Sequence, residues 1–289
     1  MNTNTDIDQP TTSASTALLW GEARHDMYGA IHKALRSFMM DTLGRVGRLD
    51  VFDPEDMDAT LGQLDALLTE CTSHVKHENE FVHPAIEARR PLGTERIAGE
   101  HVEHLAVIAS LRKEARYLRT ANAALRMSLA HRLYQHLASF VAENFEHMHY
   151  EETVHNRALW ALYTDAELEA IHGRLMESIP PVELLGIVRW MVPALTPVER
   201  IGMLRGLQAE VPPSAFKAVI DQVRPHLDAV AWGKLAPALG IPARGAGGAG
   251  EHVGEHASEA SSGLASHPEK DPTSNGASGR AVAPLEAYA

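Results

Sequence analysis

The sequence predicts an all-α protein: an up-down-up-down four-helix bundle followed by a smaller helical appendage, with disordered ends. Nothing between residues 18 and 240 alternates with period two over a useful length, whereas apolar residues recur three and four apart. Four of the segments so defined are long and joined by short connections, which makes successive helices run antiparallel. Proline and N-capping pairs punctuate the rest into shorter pieces.

Residues 1–17 are polar and Thr-rich and read as disordered. The first helix is expected from about Leu18 to Arg48. Asp53-Pro54 then supplies an N-cap and a first-position proline. The second helix carries Met57, Leu61, Leu64, Leu68, Cys71, His74, Glu78 and Phe81 on one face, frays near Pro84 and stops before Pro91. A third covers about Thr94–Leu118 and a fourth about Ala123–Tyr163, so that the bundle occupies residues 18–165. Pro180-Pro181, Thr196-Pro197 and Pro212-Pro213 open shorter helices, making residues 166–241 an appendage packed on the bundle or offering a surface to a protein partner. Residues 242–289 form a Gly/Ala/Ser/His/Glu tract without apolar periodicity, expected to be a solvated tail that includes His252, His256 and His267.

A chain of 289 residues with 45% hydrophobic content can bury one good core and a smaller second one. The formal net charge of −12 leaves no basic face to displace counterions from a phosphate backbone, so nucleic acid is excluded as a partner. No stretch approaches the ~20 apolar residues of a membrane span, and the N-terminus lacks the basic start and apolar run of a signal peptide. The single cysteine, Cys71, rules out an intramolecular disulfide framework and suits a cytoplasmic location; on the inner stripe it reads as a small core residue.

Seventeen histidines are many for such a chain, and their placement is the main clue to function. His74-Val-Lys-His-Glu78 aligns without gaps on His147-Met-His-Tyr-Glu151. On an α-helix, residues four apart are rotated by only ~40° and rise ~6 Å, so both side chains of each pair reach one point. One such pair alone is usually a solvated contact worth a few tenths of a kcal/mol. Here both lie on core-facing stripes, where an uncompensated carboxylate costs several kcal/mol. His32 on the first helix and His101 and His104 on the third share the faces of apolar neighbours and complete four converging helices. Imidazole with carboxylate suits iron or manganese, with zinc possible. His136 and Glu143 share the face of His147 and are expected to hydrogen-bond metal-bound imidazole. The ferritin-like alternative would use Glu80-Phe-Val-His83 and Glu152-Thr-Val-His155, but Glu80 lies ~200° around the helix from Glu78 and the two runs are out of register. His25 reads as a structural histidine.

These residues resemble the hemerythrin-like, or HHE cation-binding, family, whose pattern is His, His-x-x-x-Glu, His and His-x-x-x-Glu on four successive helices. The resemblance covers about residues 18–165 and carries over to His32, His74, Glu78, His101 or His104, His147 and Glu151. It implies a non-haem centre of two iron ions bridged by Glu78 and Glu151, with an open position for a small ligand. The chain departs from the family in having Glu78-Asn79 where adjacent glutamates are common, while Glu151-Glu152 keeps that pair. The internal spacing favours His104 as the third-helix ligand; the Glu100-His101 start favours His101.

Four functions remain at this level. The first is binding or sensing dioxygen or a related small ligand such as nitric oxide. The second is an enzyme of peroxidase or oxidoreductase type, removing peroxide or reactive nitrogen species. The third is iron storage or delivery, and the fourth is a polar-cored bundle without metal. No proton-transfer residue beyond the ligands stands out, so no catalytic residue is assigned.

Overall fold

The computed structural model describes residues 24–242, and the expectations for the two chain ends lie outside the described residues. Among these residues the protein is all-helical and contains no strand. Helix α1 spans Gly29–Gly47, α2 Pro54–His77, α3 His83–Arg89, α4 Glu95–Thr120, α5 Ala123–Tyr150 and α6 Asn156–Leu162. The shorter helices are α7 Asp165–Ser178, α8 Pro181–Ala194, α9 Pro197–Glu210, α10 Pro213–Val223 and α11 Ala229–Ala238. No described helix is long and apolar enough to cross a membrane.

The expected start of the first helix at Leu18 falls outside the described residues, and within them the helix begins only at Gly29. Residues 24–28 are instead a non-helical lead tied to the end of α6 and to the residues just after it. The Arg24 guanidinium donates to Asp165 and to the carbonyls of Trp160 and Tyr163. Asp26 then accepts the N–H groups of Tyr28 and Gly29, satisfying donors that open a helix. The Asp53 start of α2 follows the sequence expectation: its carboxylate accepts from Glu55 and Asp56, with Pro54 at the first position.

Fraying at Pro84 does not occur. The helix passes through a single π-helical turn, Glu78–Val82, and continues as α3 to Arg89. In an α-helix the proline would crowd the carbonyl four residues back and leave it without a donor; the wider turn relieves both. A second π-helical turn, Glu151–His155, joins α5 to α6. Each turn begins on the glutamate of a His-x-x-x-Glu pair.

Helices α1, α2, α4 and α5 pack in a closed ring, each against two of the others. Leu64, Leu67, Leu68, Leu111, Leu133, Leu137 and Phe140 fill its centre. A second apolar cluster of Tyr28, Val82, Ile86, Leu159, Leu168 and Ile171 covers the end beyond the π turns. Between α3 and α4 the chain turns sharply: Leu92 takes a left-handed φ of 62°, and a Cβ on Gly93 would meet the Arg90 carbonyl and Ile86 at 2.8 Å. Glu87 accepts from the backbone of Leu92 and Thr94, which fixes where α4 starts and so where its first two turns face the ring.

The C-terminal helices have their own core around Val192, Leu204, Val223 and Leu235. Helix α8 packs along α1, where Trp190 stacks on Phe38 with ring centroids 4.0 Å apart. Lys33 of α1 also forms an ion pair with Glu199 of α9. Replacing Trp190 by alanine removes this stack, and the expected loss is about 3 kcal/mol, the lower end for a large aromatic, because the ring is only half-buried. Urea unfolding of Trp190→Ala measures it, and wild-type stability would show that α8 is not held on α1 through this ring.

Candidate metal centre

The two His-x-x-x-Glu pairs close on each other at one end of the ring. Their histidines lie in the last turns of α2 and α5 and their glutamates open the π turns that follow, while His32 comes from the first turn of α1 and His101 from the second turn of α4. Two groups of potential ligand atoms result, each with its atoms within 4.8 Å of one another. One is His32, His74, Glu78 and Glu151; the other is His101, His147, Glu78 and Glu151. Glu78 and Glu151 belong to both. A third group, His83, Glu151 and His155, adjoins them.

The distances suit cation binding better than direct pairing. Nε2 of His74 and of His101 each lie 3.2 Å from a Glu78 oxygen, and His147 Nε2 lies 3.4 Å from Glu151. His32 Nε2 is 3.5 Å from Glu151 and 3.8 Å from Glu78. Two ligands bound at ~2.1 Å in adjacent positions on one ion are themselves about 3 Å apart. Nε2 of His32 and His74 and both oxygens of Glu78 and Glu151 are buried and find no hydrogen-bond partner in the protein. Buried polar atoms in native proteins are normally satisfied, so a convergent set left without partners fits cations.

The outer nitrogens of three of the four imidazoles are, by contrast, engaged. His32 Nδ1 meets Glu152 at 3.0 Å, His101 Nδ1 meets Asn79 at 2.9 Å and His147 Nδ1 meets Glu100 at 2.8 Å. Glu152 is clamped by both terminal nitrogens of Arg36, and Glu100 by Arg96. Such partners fix the tautomer and aim Nε2 at the centre. The departure at Glu78-Asn79 therefore has a structural role: the Asn79 oxygen positions His101.

The structure separates His101 from His104. His101 belongs to a ligand group and His104 to none. His104 lies one turn deeper, edge-on to His147 and to Phe140. The spacing that favoured it assumed equal helix pairs, but α4 and α5 each run about one turn further from the site than α1 and α2. His136 and Glu143 also need correction. His136 pairs with Glu114 and Glu143 accepts from Ser139, because both lie further down α5, away from the His147 ring that Glu100 holds.

A regular α-helix would keep His83 and His155 away from the site. Five residues of α-helix would turn His83 about 140° away from Glu78; the wider π turn brings it inside, where it is buried and stacked on His101 at 4.9 Å. His155 is buried likewise, with Nδ1 3.4 Å from the Tyr28 hydroxyl. Nε2 of each has no partner. Pro84 was a signal for the first π turn; nothing comparable marks the second. Cys71 is buried in the core, and burial pushes its thiol up to about 12. His25 packs against His172, and His149 is exposed.

Burial is the largest influence on the site's ionisation. It depresses His74 to about 3 and His83, His104 and His155 to about 4. His32 feels the same penalty, yet the carboxylates of Glu152, Glu78 and Glu151 outweigh it and raise the imidazole to about 9. Burial also opposes ionisation of Glu78, but His74, His101 and His32 hold it well below its usual range. Glu151 is raised by burial and by the facing charge of Glu78. His147 is likewise buried but raised by Glu151 and Glu100, so in the metal-free protein protonated His32 and His147 face the buried carboxylates, and bound cations would displace those protons.

No protein-family model, curated protein or solved structure matches the chain.

Two outcomes are expected. His101→Ala should cut the metal bound per chain by half or more, whereas His104→Ala should keep wild-type stoichiometry; elemental analysis after loading and desalting decides, and the reverse pattern would overturn the ligand assignment. The metal-free protein should be most stable near pH 6.5–7. Below pH 6.5 the unfolded chain takes up protons that folded His74, His83, His104 and His155 refuse down to pH 3–4, so stability falls with acidification. Above pH 6.5 the unfolded chain loses the proton that folded His32 keeps until about pH 9, so stability falls on that side too. A stability profile from chemical denaturation that rises steadily from pH 6.5 to 9 would contradict the ionisation assigned to His32.

Proposed function

We propose that the chain is a non-haem di-iron protein, a four-helix bundle of the hemerythrin type, that binds or senses dioxygen or an allied small ligand such as nitric oxide. The observation that carries this reading is the pair of buried two-histidine, two-carboxylate groups sharing Glu78 and Glu151. Two carboxylates common to two ligand groups suit a dinuclear centre, and histidine with carboxylate favours iron over softer or purely oxygen-preferring metals. Iron held in this way supplies a redox-active position at which a small ligand can bind.

The protein's own contribution is positioning and exclusion of water. Glu152, Asn79 and Glu100 orient His32, His101 and His147. Each of the two groups offers four ligand side chains, so a six-coordinate ion held there would retain room for an outside ligand. Tyr28, Val82 and Ile86 cover the far side with apolar surface, which limits access of bulk water and proton leakage.

A second reading, an enzyme removing peroxide or reactive nitrogen species, is favoured by His83 and His155. These buried imidazoles stand beside Glu151 with Nε2 atoms unpaired, and Tyr28 reaches His155. They could hydrogen-bond or shuttle a proton to a bound oxygen species.

Protein prepared with iron supplied should contain about two iron atoms per chain and show a visible absorption band that forms with dioxygen and reverses on its removal. Protein that stays metal-free under these conditions would overturn the proposal. Repeated turnover of hydrogen peroxide, lowered at least tenfold by His155→Ala at unchanged iron content, would move the assignment to the second reading.

A further inference from the structure

A cavity of about 450 Å³ lies between the ring and the C-terminal helices and ends on the metal-site residues. Its inner wall includes His74 and Glu78, which belong to the first ligand group. Its outer wall is supplied by α7, α8 and α9, through Leu184, Ile187, Met191 and Met203 among others, and Met176, which is exposed, stands at its mouth. The C-terminal helices therefore enclose one flank of the site in addition to packing on α1.

Three properties of this space identify what it takes. A diatomic gas or peroxide needs little more than the roughly 30 Å³ share of one water molecule, so the cavity is an order of magnitude too large to serve such a ligand alone. Its volume falls in the range of sites for organic molecules of ordinary cofactor or metabolite size. The lining is dominated by aliphatic side chains and four methionines, Met27, Met176, Met191 and Met203, whose flexible thioethers adapt to varied apolar shapes. The charged groups along it are carboxylates, Asp26, Glu70, Glu78 and Glu199; no lysine or arginine lines it among the described residues. Three histidines, His74, His77 and His172, also line it, so in the metal-free protein a fatty-acid carboxylate or a phosphorylated compound would meet these carboxylates without a lysine or arginine to offset the repulsion.

We infer that this cavity binds a neutral, apolar organic molecule and presents one end of it to the His74–Glu78 edge of the metal site. The binding stands on the cavity alone; only its placement beside iron rests on the function proposed above.

The test uses the full-length protein and the neutral fluorophore N-phenyl-1-naphthylamine, which brightens in apolar surroundings, titrated with iron bound and again with a chelator present. Saturable binding at one site per chain is expected, with displacement by 1-octanol and, in the chelator-treated protein, at least tenfold weaker displacement by octanoate. Ile187→Trp and Met191→Trp, which fill the cavity from α8, should each weaken binding at least tenfold while circular dichroism and iron content stay as in the wild type. Two variants guard against one that fails to fold. Absence of saturable binding, equal affinity in both folded variants, or octanoate displacing as well as octanol from the chelator-treated protein would overturn the inference. The outcome is separable from that of the metal reading: fluorophore binding in a protein that takes up no iron would sink the metal proposal and leave the cavity assignment standing. In the iron-loaded protein 1-octanol should also shift the visible band, and displacement of the fluorophore with an unmoved band would show that the ligand does not reach the His74–Glu78 edge.

Discussion

Two glutamates, Glu78 and Glu151, face each other in the dry interior of the helical ring, each nearly inaccessible to solvent. Like charges at such a place are strongly unfavourable unless positive charge stands between them. The surroundings are organised around that requirement. Four imidazoles converge on the pair, three of them are aimed by hydrogen bonds to their outer nitrogens, and two of the carboxylates that aim them are clamped by Arg36 and Arg96. Leucines and phenylalanine on one side and the Tyr28–Ile86 cluster on the other flank the charges with apolar side chains. A core of this kind is costly to maintain for stability alone, since an apolar core of the same volume would do as well or better. Binding cations gives the arrangement a reason to exist.

The π-helical turns extend the same logic along the chain. Each begins on one of the two glutamates, so the helix widens where its side chain turns towards the partner carboxylate. The widening brings residues beyond the ligands back to the interior: His83 in one helix, His155 and Asn156 in the other. Asn156 in turn bonds Asp26, whose carboxylate opens α1 just before His32. The lead into the first ligand helix is thereby tied to the end of the last one, and the geometry of the site and the closure of the ring become one problem. The C-terminal helices add a flank to this site through α8, with Trp190 against Phe38 as the anchor.

Much of this was legible from residue spacing. The helical class, the Asp53-Pro54 start and the break at the double prolines follow from local rules that the tertiary fold does not override. Both His-x-x-x-Glu pairs were readable because a spacing of four on a regular helix has only one geometric meaning. What spacing could not show was anything depending on helix length or on a departure from 3.6 residues per turn. The choice between His101 and His104 turned on the extra turn in α4 and α5; His83 and His155 entered the interior only because two turns widen. The partners of the imidazoles, Glu100, Asn79 and Glu152, come from other helices, so nothing on the ligand's own helix announces them, and His136 and Glu143, chosen from His147's own face, proved to lie elsewhere.

The central claim is that the shared glutamates bridge two iron ions. Iron K-edge X-ray absorption on the iron-loaded protein tests it most directly, because scattering from a second metal is read without reference to activity. The expected result is a first shell of nitrogen and oxygen with imidazole scattering and a second iron within about 4 Å. A nitrogen- and oxygen-bound iron with no metal neighbour at that distance, in protein carrying its full complement of metal, would contradict it.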